Sequence, residues 1–215
     1  MSAGRYPYQQ ALATAGLFIA NVQHVCQRIE IAGSLRRLLS AGAPAPDATV
    51  GDIELLAIPL RVGPRNLLWE RTERTYRLWE GIDVNGRRYV RSGPRYRKLA
   101  GRAPDGQHLP VDLYTAEEGT WGYQFVLRTG PAEWNKALVT SVEQGGLLPP
   151  DMRLHEGHVY LDKWECLVHS EEAFFRLLGL PYLPPHERDV ARLRDRELSQ
   201  PPVRRRAQAL VVQGG

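Results

Sequence analysis

The segment Gly51-Asp52-Ile53-Glu54-Leu55-Leu56 sets two acids among apolar residues that continue through Ala57 and Ile58 to Pro59. That pattern predicts a β-strand with both acids near its start. Alternate side chains of a strand share a face, so Asp52 and Glu54 point the same way with Cα atoms ~6.5–7 Å apart, close enough to share a hard, oxygen-seeking cation such as Mg²⁺. Upstream, Ile31-Ala32-Gly33-Ser34-Leu35-Arg36-Arg37 reads as a strand end, a tight turn and a cation pair. Glycine permits close approach of the backbone to a phosphate, Ser34 offers a hydroxyl and an N–H, and arginine binds phosphate bidentately. Downstream, Pro110-Val111-Asp112-Leu113-Tyr114 supplies a third acid, and its alternation with Val111 and Leu113 turns it away from the core they build. Each piece alone is ordinary: a solvated acid pair, a surface turn, one acid in a strand. In this order they describe metal-dependent nucleotidyl transfer, with Asp112 ligating the reacting metal and helping to deprotonate the attacking hydroxyl.

Several elements must position these groups. Residues 8–28 read as a helix, with Leu12, Ala15, Ile19, Val22 and Cys26 near helical spacing, which delivers the chain to the first strand. A second helix is expected over 65–79, followed by strands around 82–84, 88–91 and 109–114. Ala103-Pro104-Asp105-Gly106 is a hairpin signal before the last of these. Pro131 starts a further helix and Gly145-Gly146 ends it, with Trp134, Leu138, Ser141 and Val142 as its packing face. His155-Glu156-Gly157-His158 reads as a hairpin turn rather than a metal site. Ser170 caps a helix over 171–178 that packs Phe174, Phe175, Leu177 and Leu178 and is stopped by Gly179 and Pro181.

With these residues in place the chain resembles the family X, polymerase beta-like DNA polymerases of the nucleotidyltransferase superfamily. The likeness runs over roughly residues 20–190 and continues through Leu127-Arg128-Thr129-Gly130, Asn135-Lys136, and Tyr182 to Arg188. It implies an α+β fold: residues 1–116 as an N-terminal helix and a nucleotidyltransferase palm, a mixed β-sheet flanked by helices. Residues 117–190 would form a small C-terminal α/β, nucleotide-selecting subdomain, called thumb or fingers, and 191–215 a basic tail. It implies Asp52, Glu54 and Asp112 as catalytic residues and metal ligands, the first two on both metals and Asp112 on the catalytic one. Gly33, Ser34 and Arg37 would bind the triphosphate, Thr129 and Gly130 would border the incoming sugar, and Asn135 would contact the base or its minor-groove edge. The implied activity is template-dependent, gap-filling, repair-type DNA synthesis with Mg²⁺, or Mn²⁺ in its place, on primer-template or gapped DNA and a dNTP.

The chain departs from the family pattern in four respects. Glu54 stands where the family usually has Asp, so its longer arm must retract to keep the metal position. Residues 38–50 are longer than the family's turn, lack its Arg-Arg-Gly, and have the Ala, Gly and Pro content of a surface insertion. Leu127-Arg128 replaces the aromatic pair before Thr-Gly, leaving dNTP against NTP preference open. The N-terminal segment is too short for the helix-hairpin-helix domain of the longer enzymes, so their 5′-deoxyribose phosphate lyase activity is expected to be absent.

Composition sets the outer bounds. A chain of 215 residues with 43% apolar residues can build a sizeable core, and no run approaches a membrane span. Without a signal-peptide pattern, and with Cys26 and Cys166 too few for a disulfide scaffold, a cytoplasmic monomer with reduced core thiols is expected. The net charge of +4 is concentrated in Arg61–Arg77, Arg87–Arg102 and Arg188–Arg206, clusters suited to neutralising phosphates. Two other readings stay open: a nucleotidyltransferase that modifies RNA, protein or a small molecule, and a catalytically silent nucleic-acid-binding module.

Overall fold

In the computed structural model, residues 4–60, 89–93 and 95–192 are described. The expected helix at 65–79, the strand at 82–84 and much of the three basic clusters lie outside the described residues. The chain divides into two compact units, 1–116 and 117–215.

In the first unit, β1 (Tyr6–Pro7) leads into α1 (Tyr8–Val22), then β2 (Cys26–Ile31), α2 (Gly33–Ser40), β3 (Thr49–Val50) and β4 (Ile53–Pro59). β5 (Tyr89–Gly93), β6 (Tyr96–Arg102) and β7 (His108–Thr115) complete it. Five strands form one mixed sheet in the order β2-β4-β7-β6-β5, in which β4 and β7 run parallel and every other pair is antiparallel. A mixed α+β unit is therefore what the residues build.

The period-2 pattern explains the two faces of the sheet. Ile53, Leu55 and Ala57 of β4, Leu99 of β6, and Val111 and Leu113 of β7 share a buried core with Tyr8, Ala11, Ala15, Phe18 and Val22 of α1. Those α1 positions recur every three or four residues, which gives the helix its single apolar stripe. The residues between them, Glu54 and Asp112, project from the opposite face. At Gly101 a Cβ would lie 2.6 Å from Val111 Cγ2 and 3.0 Å from Thr14 Cγ2, so glycine lets α1 close onto β6.

Three expectations are corrected in this unit. The first helix ends at Val22, not residue 28: a 3₁₀ turn over Gln23–Val25 follows, and Cys26 opens β2 because its partner in the sheet is Pro59. Gly33-Ser34 begins α2 rather than a bare turn, so Leu38–Ser40 are helical and Leu35 is buried beneath. The rest of the 38–50 segment is largely exposed between 41 and 47, yet its end is anchored, because β3 pairs with β1 and Arg5 donates to Thr49 Oγ1 at 2.7 Å. The hairpin expected at Ala103–Gly106 is present: Gly106 N–H donates to Ala103 O at 2.9 Å with Gly106 at φ +86°.

The second unit packs α3 (Trp121–Thr129), α4 (Ala132–Val139), a three-stranded antiparallel sheet of β8 (Met152–His155), β9 (His158–Leu161) and β10 (Trp164–Cys166), and α5 (Glu171–Leu178). α4 stops at Val139, short of the expected end at Gly145. Thr140 turns extended, and Val142–Gln144 form a separate 3₁₀ turn closed by Gly145 at φ +80°. The segment then doubles back, with Leu147 N–H donating to Ala137 O at 2.8 Å. Trp134 and Leu138 are fully buried as expected, whereas Val142 is exposed. The His155-Glu156-Gly157-His158 turn is a two-residue hairpin with φ +47° and +84° at its centre. Ser170 caps α5 by accepting from Ala173 N–H at 3.2 Å, and Gly179 ends it at φ +70°. Both cysteines are buried thiols, and burial pushes Cys26 up to about 12.

Arg188 anchors this unit from beneath. Its side chain is fully buried, donates Nη1 to Glu171 Oε1 at 2.8 Å and Nε to Leu183 O at 3.1 Å, and lies over the rings of Trp134, Phe175 and Tyr182. The Tyr182–Arg188 tail is thus fastened to α4 and α5.

Candidate active site

β4 and β7 bring the acids together. Their parallel register pairs Ile53 with Val111 and Glu54 with Asp112, so the second and third acids stand side by side on neighbouring strands, ~4.8 Å apart across the ladder. Asp52 lies one residue ahead of β4, not within it. Its carboxyl is held above the usual aspartate range, first by burial and then by the negative charge of Asp112, while Lys98 and Arg37 pull the other way. Asp52, Asp112 and Arg37 therefore share one electrostatic neighbourhood, although they come from three separate segments.

The Glu54 side chain lies against Gly33. Gly33 has φ +62°, and a Cβ there would overlap Glu54 Oε2 and sit 2.8 Å from its Cδ. Ala32 N–H donates to Glu54 O at 2.8 Å, which ties the start of α2 to β4. The absence of a side chain at Gly33 is what makes room for the longer acid, and a substituted residue would be both strained and in collision with it. Ser34 follows as the first residue after that glycine, and Arg37 lies one turn on, both half-buried.

Asp112 is the most enclosed of the three, with its side chain 9% exposed. Tyr96 Oη donates to its Oδ1 at 2.7 Å, and Lys98 Nζ stands 3.5 Å from its Oδ2. Both donors come from one face of β6, which pairs Lys98 with Asp112 and Tyr96 with Tyr114. The sequence reading placed Tyr96 and Lys98 in a basic cluster without assigning them to the acid. The hairpin signal alone misses the contact: pairing outward from Ala103–Gly106 sets Lys98 opposite Val111, and the observed register, with Arg102 opposite His108, moves it by one residue onto Asp112.

The donor set is all oxygen, which suits Mg²⁺. Among the described residues no group of three or more His, Cys, Asp and Glu is gathered closely enough to enclose an ion. Mg²⁺ keeps several waters and needs only one or two carboxylates beside substrate phosphates, so an adjacent Glu54–Asp112 pair with Asp52 nearby fits the ion's chemistry.

Thr129, Gly130 and Asn135 belong to the second unit. Thr129 is fully buried at the end of α3. Asn135 Nδ2 donates to Leu127 O at 2.6 Å and Gly130 O at 3.0 Å, clamping the turn between α3 and α4. Its Oδ1 is buried with no hydrogen-bond partner. A Cβ on Gly130 would meet the Trp134 ring and lie 2.5 Å from Asn135 Oδ1, so this turn also needs its glycine.

Residues 125–189 match the family model described as DNA polymerase beta thumb. The match supports a polymerase beta-like, family X relationship and points to a DNA-binding chain related to DNA polymerases. No curated protein matches the chain. No helix among the described residues is long and apolar enough to cross a membrane.

Proposed function

We propose that the chain is a template-dependent, gap-filling DNA polymerase that adds a dNTP to a primer 3′-hydroxyl. The observation that carries this reading is the β4–β7 register, which sets Glu54 beside Asp112 in a chain whose residues 125–189 match a polymerase thumb. Gly33, Ser34 and Arg37 hold the triphosphate: the backbone N–H groups at the start of α2 and the guanidinium face an anion favourably. Asp52, Glu54 and Asp112 hold Mg²⁺, or Mn²⁺ in its place, which when bound stabilises the attacking and leaving oxygens of an in-line displacement. Asp112 lies ready to accept the proton of the primer hydroxyl. In the second unit Asn135 keeps the Thr129-Gly130 turn in shape.

Extension of a labelled primer on recessed and one-nucleotide-gap DNA, with each dNTP or NTP supplied singly, tests the reading. Template-matched addition by the parent, lost by at least about 10³-fold in Asp112→Ala with DNA binding retained, is the expected result. Untemplated addition would move the chain to the other nucleotidyltransferases, and full activity in Asp112→Ala would remove Asp112 from the chemistry.

A further inference from the structure

Asp112 is held from β6 by two donors, and one of them has no electrostatic necessity. Lys98 already supplies a counter-charge, 3.5 Å from Oδ2. Tyr96 adds a neutral hydroxyl at 2.7 Å from Oδ1. The phenol reaches Asp112 diagonally, since its own partner across the ladder is Tyr114, two residues further along β7 on the same face. The Tyr96 ring stacks on Tyr114, with centroids 4.9 Å apart and planes inclined by 30°. This stack fixes where the hydroxyl lies, and the hydroxyl fixes how the carboxylate is turned about its Cβ–Cγ bond. Each carboxylate oxygen has two acceptor sites, so Oδ1 retains one after accepting from Tyr96. A ligand oriented in this way loses less freedom on binding a cation than one that can rotate, and partners of this kind commonly change metal affinity or activity by about 10–100-fold.

Resting on the assignment of Asp112 as a metal ligand, we propose that Tyr96, braced by Tyr114, is a positioning residue that presets the Asp112 carboxylate for the divalent cation. A purely structural hydroxyl would satisfy Asp112 and affect only the stability of the fold. A positioning hydroxyl affects cation binding at unchanged stability, and affects turnover more than dNTP affinity.

The test uses the full chain and Tyr96→Phe, which removes one oxygen and keeps the stack. Mn²⁺ binding is followed by the loss of the free-ion electron paramagnetic resonance signal, with Asp112→Asn as control and thermal melting as the check on folding. The expected result is Mn²⁺ affinity about tenfold weaker in Tyr96→Phe, a larger loss in Asp112→Asn, and an unchanged melting temperature. In primer extension, kcat should fall about tenfold with KM for dNTP within about twofold. Tyr96→Phe with parental Mn²⁺ affinity, Mn²⁺ binding indifferent to Asp112→Asn, or no Mn²⁺ binding by the parent would each overturn the proposal. The cation measurement stands apart from the polymerase reading: a chain that binds Mn²⁺ through Asp112 and Tyr96 yet extends no primer would lose that function and keep this inference.

Discussion

Asp52 retains its proton to a higher pH than an ordinary aspartate, because its carboxyl is half-buried and close to the charge of Asp112. The folded state therefore binds more protons than the unfolded chain between the ordinary aspartate range and the raised value. Stability linked to Asp52 falls as pH climbs through that window, and the loss is complete above it. Asp52→Asn removes the ionising group, so in the presence of a chelator it should melt a few degrees above the parent at neutral pH. The difference should close as the pH drops below the ordinary aspartate range. Melting curves by circular dichroism across that range check this, and a gap of constant size would contradict the assigned cause. Asp52 and Asp112 place two like charges near one another, and that proximity is part of what raises Asp52. The types and order of these acids were legible in the sequence. The packing of Glu54 against Gly33 was not, since it depends on the contact between the start of α2 and β4.

At the scale of elements, the buried Arg188–Glu171 pair joins the last described segment to α5. Removing one partner of a buried ion pair typically costs about 3–5 kcal/mol. Arg188→Met should therefore lower the melting temperature markedly, with the change visible in tryptophan fluorescence because Trp134 lies under the guanidinium. Combining it with Glu171→Gln should recover part of the loss. A single variant as stable as the parent would show the pair to be incidental. Local signals located many boundaries here: Ser170 and Gly179 bound α5, and Ala103–Gly106 turns the β6–β7 hairpin. They failed where packing intervened. Cys26 fits helical spacing yet joins β2, because pairing with Pro59 on β4 outweighs the continuation of an amphipathic pattern. α4 stops early because residues 147–148 return to hydrogen-bond with Ala137 and Thr140.

For the whole molecule, a net charge of +4 spread over arginine clusters gives DNA binding an electrostatic, salt-sensitive component. With about four phosphates neutralised, a fourfold rise in salt should weaken binding to gapped DNA roughly 100-fold. Fluorescence anisotropy at several salt concentrations checks this, and affinity independent of salt would contradict a phosphate-directed interface. The sequence by itself determined which residues could do chemistry, their order along the chain and the alternation that turns Asp112 away from the core, because all of these follow from residue type and short-range periodicity, while the α+β class was what the family resemblance implied. Only the tertiary structure decided that Glu54 and Asp112 are partners across parallel strands, that Gly33 makes room for Glu54, and that Tyr96 and Lys98 converge on Asp112. Those relations depend on strand order and register, which are fixed by the burial of one sheet face against α1 and by contacts between residues far apart in the chain.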